Sequence, residues 1–196
     1  SNTQSEEKEE SLARWKQKVG ENEADRVRDQ AAERGSIMHR IIESYILGEK
    51  HADLSDVGMQ AGEMAKIVFD EGLRGSMEEI WGSEVTLYYP GLYAGATDLC
   101  GIYENRESIV DFKQSNKPKR REWIEDYFTQ LVAYAMAHNY VYDTNIDQGV
   151  ILMCTKDNYF QKFVIQGSEF NRYVWKWLRR VDKFYKNQAS GATLNR

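Results

Sequence analysis

Gly95-Ala96-Thr97-Asp98-Leu99-Cys100-Gly101-Ile102-Tyr103, then Glu104-Asn105-Arg106-Glu107, then Ser108-Ile109-Val110-Asp111-Phe112-Lys113 places two β-prone runs on either side of a short polar break, the pattern of a β-hairpin. Two turns are compatible with it. A two-residue turn at Glu104-Asn105 sets Asp98 opposite Asp111, and a four-residue turn over 104–107 sets Asp98 opposite Lys113. In both, strand alternation puts Asp98, Asp111 and Lys113 on one face and Val110 and Phe112 on the other. Opposed cross-strand side chains have Cβ atoms about 5 Å apart, so two carboxylates there repel each other and call for a cation. A hard ion such as Mg²⁺ suits them, because it takes carboxylate and carbonyl oxygens, keeps several waters and accepts phosphate oxygens. Phosphate chemistry is implied, with Lys113 holding an attacking water or offsetting charge on phosphorus.

Upstream of the hairpin, Leu12, Trp15 and Val19 predict a short amphipathic helix ending near Gly20. Ser36 can cap a helix to about Leu47 before Gly48, and another helix is expected from about Ala61 to Leu73. Glu84 to Tyr89 reads as a strand, turned by Pro90-Gly91 into the hairpin. Downstream, Pro118 marks a loop, Trp123 to His138 a helix, and Val150 to Cys154 with Tyr159 to Ile165 a second hairpin. Ser168 can cap a last helix carrying Phe170, Val174, Trp177, Leu178, Val181 and Phe184. Helices, three strands, helix, two strands, helix: this order predicts a mixed α/β (α+β) fold, a central mixed sheet flanked by helices. It speaks against a doubly wound nucleotide-binding fold.

At 196 residues the length suits one domain. Residues 1–10 are expected to form a frayed acidic tail and 11–190 the domain. No apolar run approaches the roughly 18 residues of a membrane span, and residues 1–10 have no apolar signal segment, so an intracellular, cytoplasmic site is expected. Cys100 and Cys154, the only two cysteines, lack metal-binding spacing and read as buried thiols. A net charge of −5 would disfavour a nucleic-acid partner, but the sum hides local patches. Lys113, Lys117, Lys119, Arg120 and Arg121 form a run without an intervening acid. A second basic set, Arg172 to Lys186, reads as a solvated helix face.

The pattern Gly95-Ala-Thr-Asp98 followed by Ile109-Val-Asp111-Phe-Lys113 resembles motifs II and III of the PD-(D/E)XK nuclease superfamily. Two features of its RecB-like branch stand in the right order: His39 in Gly35-Ser-Ile-Met-His39, and Gln130-Leu-Val-Ala-Tyr134. Arg14-Trp15, Asp111 to Pro118 and Trp175-x-Trp177-Leu178-x-Arg180 are similar to the exonucleases of the mitochondrial genome maintenance type and their viral relatives. The resemblance spans roughly Trp15 to Phe184. It implies a restriction-endonuclease-like core in which Asp98, Asp111, the Phe112 backbone carbonyl and His39 bind Mg²⁺ or Mn²⁺ and Lys113 is catalytic. Two cysteines are too few for the iron-sulfur cluster of some RecB-like nucleases, so no cluster is expected. Ser1-Asn2-Thr3 alone stands where family members often have a Ser/Thr-rich segment, which suggests a truncated N-terminus.

Glu43 lies four residues after His39 and so shares its helix face, as a further ligand or as a plain polar pair. Glu84 reads as a structural residue at the sheet edge, and His51 and His138 carry no supporting context. Gln130 and Tyr134 share a face too, placed to bond a phosphate, a base or the lysine loop. Lys117, Lys119, Arg120 and Arg121 are candidates to grip a nucleic-acid backbone. The aromatic residues of the later helices read mostly as core. The expected activity is metal-dependent hydrolysis of DNA by an exonuclease on single strands or ends, with a role in repair or recombination beside replication or recombination proteins. A viral source would place it in host cytoplasm. The rival readings are a structure-specific endonuclease and a non-cutting DNA-binding accessory protein of the same fold.

Overall fold

The structure is a computed structural model that describes residues 6–49, 51 and 53–193. Its elements run α1 (Glu6–Val19), α2 (Glu21–Leu47), α3 (Asp56–Ile67) with a wider π-turn (Val68–Leu73), β1 (Met77–Tyr89), β2 (Tyr93–Tyr103), β3 (Arg106–Ser115), a 3₁₀ turn (Arg121–Ile124), α4 (Glu125–Tyr142), β4 (Gln148–Thr155), β5 (Phe160–Gln166) and α5 (Gly167–Thr193). The strands form one sheet in sequence order. β3 and β4 pair in parallel through the α4 crossover, and the other neighbours are antiparallel. The fold is therefore mixed α/β, a five-stranded mixed sheet flanked by helices.

Turn chemistry fixes the register of the decisive hairpin. Glu104 (φ 48°) and Asn105 (φ 63°) both take positive φ, as a two-residue turn matched to strand twist requires. Tyr103 then pairs with Arg106 and Leu99 with Val110, which excludes the four-residue alternative. Leu99, Tyr103, Val110 and Phe112 pack with α2 and α3 residues such as Met38, Ile42 and Met64 in one core. Cys100, Ile109, Ile151 and Met153 pack with Phe128, Leu131 and Tyr173 in the other. β4 is buried along its whole length, as befits a strand covered on both faces.

The larger departures from the expected boundaries have local reasons. Residues 21–35 join one long helix; Ser36 lies inside it, its hydroxyl donating to the Ala32 carbonyl at 3.1 Å. The charged stretch is rich in good helix formers, and Glu23–Arg26 and Asp25–Arg28 pair one turn apart. α3 starts at Asp56 because the Ser55 hydroxyl accepts from the Gly58 N–H at 3.0 Å. β1 starts at Met77, with register shifts before Gly82; charged Glu78 and Glu79 are tolerated because β1 is an edge strand. Residues 6–10 of the expected frayed tail are helical in α1; residues 1–5 lie outside the described residues.

Candidate active site

β1 and β2 change face together at Glu84 and Asp98. Gly82 and Cys100 pair across the strands and face α4, since a Cβ on Gly82 would lie 3.8 Å from Cys100 Sγ. Val85 and Gly95 also face α4, the latter against the Tyr134 ring, yet each lies an odd number of residues from Gly82 or Cys100. One alternation is lost in each strand. Glu84 sits at the loss with φ 51°, a conformation uncommon for a residue other than glycine. The β2–β3 ladder ends at the Leu99–Val110 pair, and Asp98 turns into the gap: its Oδ2 accepts from the Phe112 N–H at 2.7 Å. Asp111 and Lys113 keep to the α4 face as alternation dictates. Asp98 departs from the expected shared face because the strand irregularity re-aims it.

His39, on α2, meets this gap from the other side. Its Nε2 lies 2.8 Å from the Phe112 carbonyl oxygen and its Nδ1 3.3 Å from Asp98 Oδ1. Both ring nitrogens thus face acceptors, which the doubly protonated ring satisfies. Burial opposes that charge, but the Asp98 bond and the charges of Asp98 and Asp111 outweigh it and hold the His39 pKa above its ordinary value. Burial likewise opposes ionisation of Asp98; His39, the Phe112 N–H and Lys113 prevail and lower its pKa. Glu84 completes the group: ligand atoms of His39, Glu84 and Asp98 all lie within 4.8 Å of one another. Partial burial, with Asp98 and Glu43 adding repulsion against the attraction of His39, raises the Glu84 pKa. Glu84 is therefore no plain edge residue. The Tyr89–Tyr93 pair across the Pro90-Gly91 turn sets Glu84 opposite Asp98.

Asp111 is only 3% exposed, and its Oδ2 forms an ion pair with Lys113 Nζ at 2.6 Å. Burial, reinforced by the Asp98 charge and opposed by Lys113, pushes its pKa up to about 6. Burial works against the Lys113 charge as well, and Asp111 outweighs it, so the Lys113 pKa is raised. The Lys113 ammonium also lies 5.1 Å from the Tyr127 ring centre, which favours the cation. These groups adjoin a cleft of about 650 Å³ lined in part by His39, Arg40, Glu43, Glu84, Lys113 and Gln114. Glu43 is at this wall, outside the three converging ligand atoms.

Gln130 and Tyr134 bond one another, Nε2 donating to the phenol oxygen at 2.8 Å. Burial raises the Tyr134 pKa, Gln130 opposes this, and Asp111, Lys113 and Asp98 all act on it, so the pair borders the same centre. The basic loop divides. Gln161 clamps the Lys119 backbone through two hydrogen bonds, at 2.8 and 2.9 Å. Lys117 is exposed, and Arg120 lies over the 55% exposed Trp123 ring at 5.3 Å. Arg121 differs from expectation: its guanidinium donates to the Val164 carbonyl, pairs with Glu169 at 2.6 Å and covers the Phe128 ring. It ties the loop to β5 and α5.

The donors fit a hard divalent cation. One imidazole, the Asp98 and Glu84 carboxylates and the Phe112 carbonyl converge, with the Asp111–Lys113 pair nearby.

No protein-family model matches the chain. It is 24% identical over 191 residues to mitochondrial genome maintenance exonuclease 1 of Xenopus tropicalis, covering 90% of this chain and 53% of that protein. The human protein of that name is 24% identical over 193 residues, covering 91% and 54%. The chain thus spans about half the length of the curated relatives it matches. A solved structure of a candidate exonuclease from Eubacterium rectale superimposes with a TM-score of 0.57 at 16% identity, covering 81% of this chain and 65% of that one. The likeness to proteins named as exonucleases thus extends over most of the chain.

Proposed function

We propose that this domain is a metal-dependent DNA nuclease, an exonuclease acting on single strands or DNA ends. The observation that carries the reading is the convergence of His39, Glu84 and Asp98 beside the buried Asp111–Lys113 pair on an open cleft. His39, Asp98, Asp111 and the Phe112 carbonyl would hold Mg²⁺ or Mn²⁺, with Glu84 added to the expected set and Glu43 at the rim. Such an ion, when bound, lowers the pKa of its water and neutralises charge on the phosphate.

The chain's own residues do the rest. Asp98 is oriented by the Phe112 N–H, so its second oxygen is fixed toward His39. Lys113, held between Asp111 and the Tyr127 ring, points a fixed ammonium at the reacting phosphate and hydrogen-bonds the attacking water. That water forms the new O–P bond as the P–O3′ bond breaks, leaving a 5′-phosphate and a 3′-hydroxyl. Gln130 and Tyr134 contact the phosphate or a base from α4. Lys117, Lys119 and Arg120 neutralise the strand beyond the cleft, with Trp123 available for stacking. No helix among the described residues is long and apolar enough to cross a membrane. An intracellular role in DNA repair or recombination, beside replication or recombination proteins, is part of the proposal.

The test is digestion of end-labelled linear and circular single-stranded DNA in Mg²⁺, Mn²⁺ or EDTA. Linear strands should be degraded with either metal, circles left intact and EDTA should stop the reaction. Cut circles would make the protein an endonuclease, and intact linear strands in both metals would overturn the nuclease reading.

A further inference from the structure

Arg34 is a charged residue only 7% exposed, five residues upstream of His39 on α2. Among the described residues its guanidinium donates to amide oxygens, while Asp157 supplies an opposite charge nearby. Nε donates to Gln114 Oε1 at 3.2 Å, Nη1 to Gln60 Oε1 at 3.0 Å, and Nη2 to Asn116 Oδ1. Gln60 passes the connection on, its Nε2 donating to the Lys156 carbonyl at 3.2 Å, and the Lys156 N–H returns to the Ser115 carbonyl at 3.0 Å. One side chain thereby joins α2, α3, the end of β3 and the β4–β5 turn. A buried charge costs several kcal/mol unless well bonded, and an apolar residue would fill this space without that cost, so a stability role alone does not explain an arginine here.

The position of the network suggests what it does. Beside the apolar packing of Met38 and Ile42 with Val110 and Phe112, α2 makes side-chain hydrogen bonds to β3 and the residue after it at two points: Arg34 to Gln114 and Asn116, and His39 to the Phe112 carbonyl. Lys113 lies between them. Gly35 lets the helix come this close, since a Cβ there would sit 3.1 Å from Gln114 Cγ. If His39 and the Phe112 carbonyl both turn to a cation, as the proposed function holds, their mutual contact is given up. The Arg34 hydrogen bonds then remain as the directed contacts between helix and strand, beside apolar packing that tolerates sliding.

Resting on that reading, we infer that Arg34 is a positioning residue: its buried amide network sets the α2–β3 spacing that aligns His39 with Asp98, the Phe112 carbonyl and Lys113. A planar fork with five donors can reach three amides in three directions, which a lysine cannot. It acts through other groups and touches no substrate.

The experiment compares wild type, Arg34→Met, Arg34→Lys and Asn116→Ala in two measurements, Mn²⁺ affinity by calorimetry without DNA and kcat and KM on linear single-stranded DNA. Arg34→Met should weaken Mn²⁺ binding by about 10-fold, the scale of outer-shell losses, and lower kcat more than it raises KM. Arg34→Lys should recover part of both, and Asn116→Ala, which keeps the cation and removes one acceptor, should lose a smaller share of each. Wild-type Mn²⁺ affinity and kcat in folded Arg34→Met would overturn the inference; if that variant does not fold, the same result in Asn116→Ala would do so. A wild-type protein that binds Mn²⁺ but cuts no DNA would instead refute the nuclease reading, with the affinity series still deciding the role of Arg34.

Discussion

Asp98 Oδ2 accepts the backbone N–H of Phe112 at 2.7 Å, so a side chain fills the place in the β2–β3 ladder that a strand carbonyl would otherwise take. The carboxylate is thus structural support and candidate metal ligand at once, and substitution can separate the roles. Asp98→Asn keeps an acceptor for the Phe112 N–H and removes the charge. It should fold, and should lose most of the rise in melting temperature that wild type gains from Mg²⁺ or Mn²⁺, about 2.7 kcal/mol at a hundredfold excess over Kd. Asp98→Ala also orphans the N–H and should cost a further 1–3 kcal/mol or so. Thermal melts with and without metal check both; an unchanged metal response in Asp98→Asn would remove Asp98 from the ligand set.

Lys113→Ala and Asp111→Ala should each abolish cutting of labelled single-stranded DNA in Mg²⁺ while the protein stays folded. Removing one member of a buried pair typically costs about 3–5 kcal/mol. Asp111 can escape part of this by taking up a proton, because burial already pushes its pKa up to about 6. Lys113→Ala should therefore lose less stability than a stranded charge implies. Circular dichroism and a gel assay give the two readings, and full activity in either variant would sink the assignment.

Lys117 and Arg120 project from the loop, whereas Arg121 is committed to Glu169 and Val164. Each phosphate contact on a single strand contributes about 0.7 to the slope of log K against log salt. The double variant Lys117→Ala/Arg120→Ala should flatten that slope by about twice this, with little change in melting temperature. Arg121→Ala should do the reverse and lower stability. Filter binding across a salt series distinguishes them, and an unchanged slope in the double variant would take the loop out of the DNA path.

His138 gives a pH dependence of stability away from the active site. Thr144 donates its hydroxyl proton to Asn139 Oδ1, so the neutral His138 ring donates Nδ1–H to Thr144 Oγ1 at 2.8 Å, and it stacks on Trp81. Burial lowers its pKa, with the charge of Glu107 opposing. A folded pKa below the unfolded one contributes stability that is full above roughly 6.5 and is lost as pH falls through the folded value. His39 is shifted the other way, so the comparison is wild type against His138→Gln in urea between pH 7.5 and 5. Wild type should lose more on acidification; parallel curves would refute this.

Much of the fold was legible because its signals are local. Alternation put Asp111 and Lys113 on one face opposite Val110 and Phe112 with either turn, while the choice of the two-residue turn waited on the positive φ of Glu104 and Asn105. The order of helices and strands followed from periodicity, although α2 and β1 began earlier than expected where charged residues concealed a helix and an edge strand.

What the sequence by itself determined is the Asp111–Lys113 face and its hairpin, since turn chemistry and a period of two act between residues close along the chain. Only the tertiary structure decided that Asp98 turns out of its face into the strand gap, that Glu84 comes within ligand distance of it, that Arg121 pairs with Glu169 and that Arg34 bonds Gln60, Gln114 and Asn116. Those outcomes depend on where β1, α2 and α5 come to rest against β3 and its following loop, and contacts across such sequence distances are fixed by packing of the whole sheet.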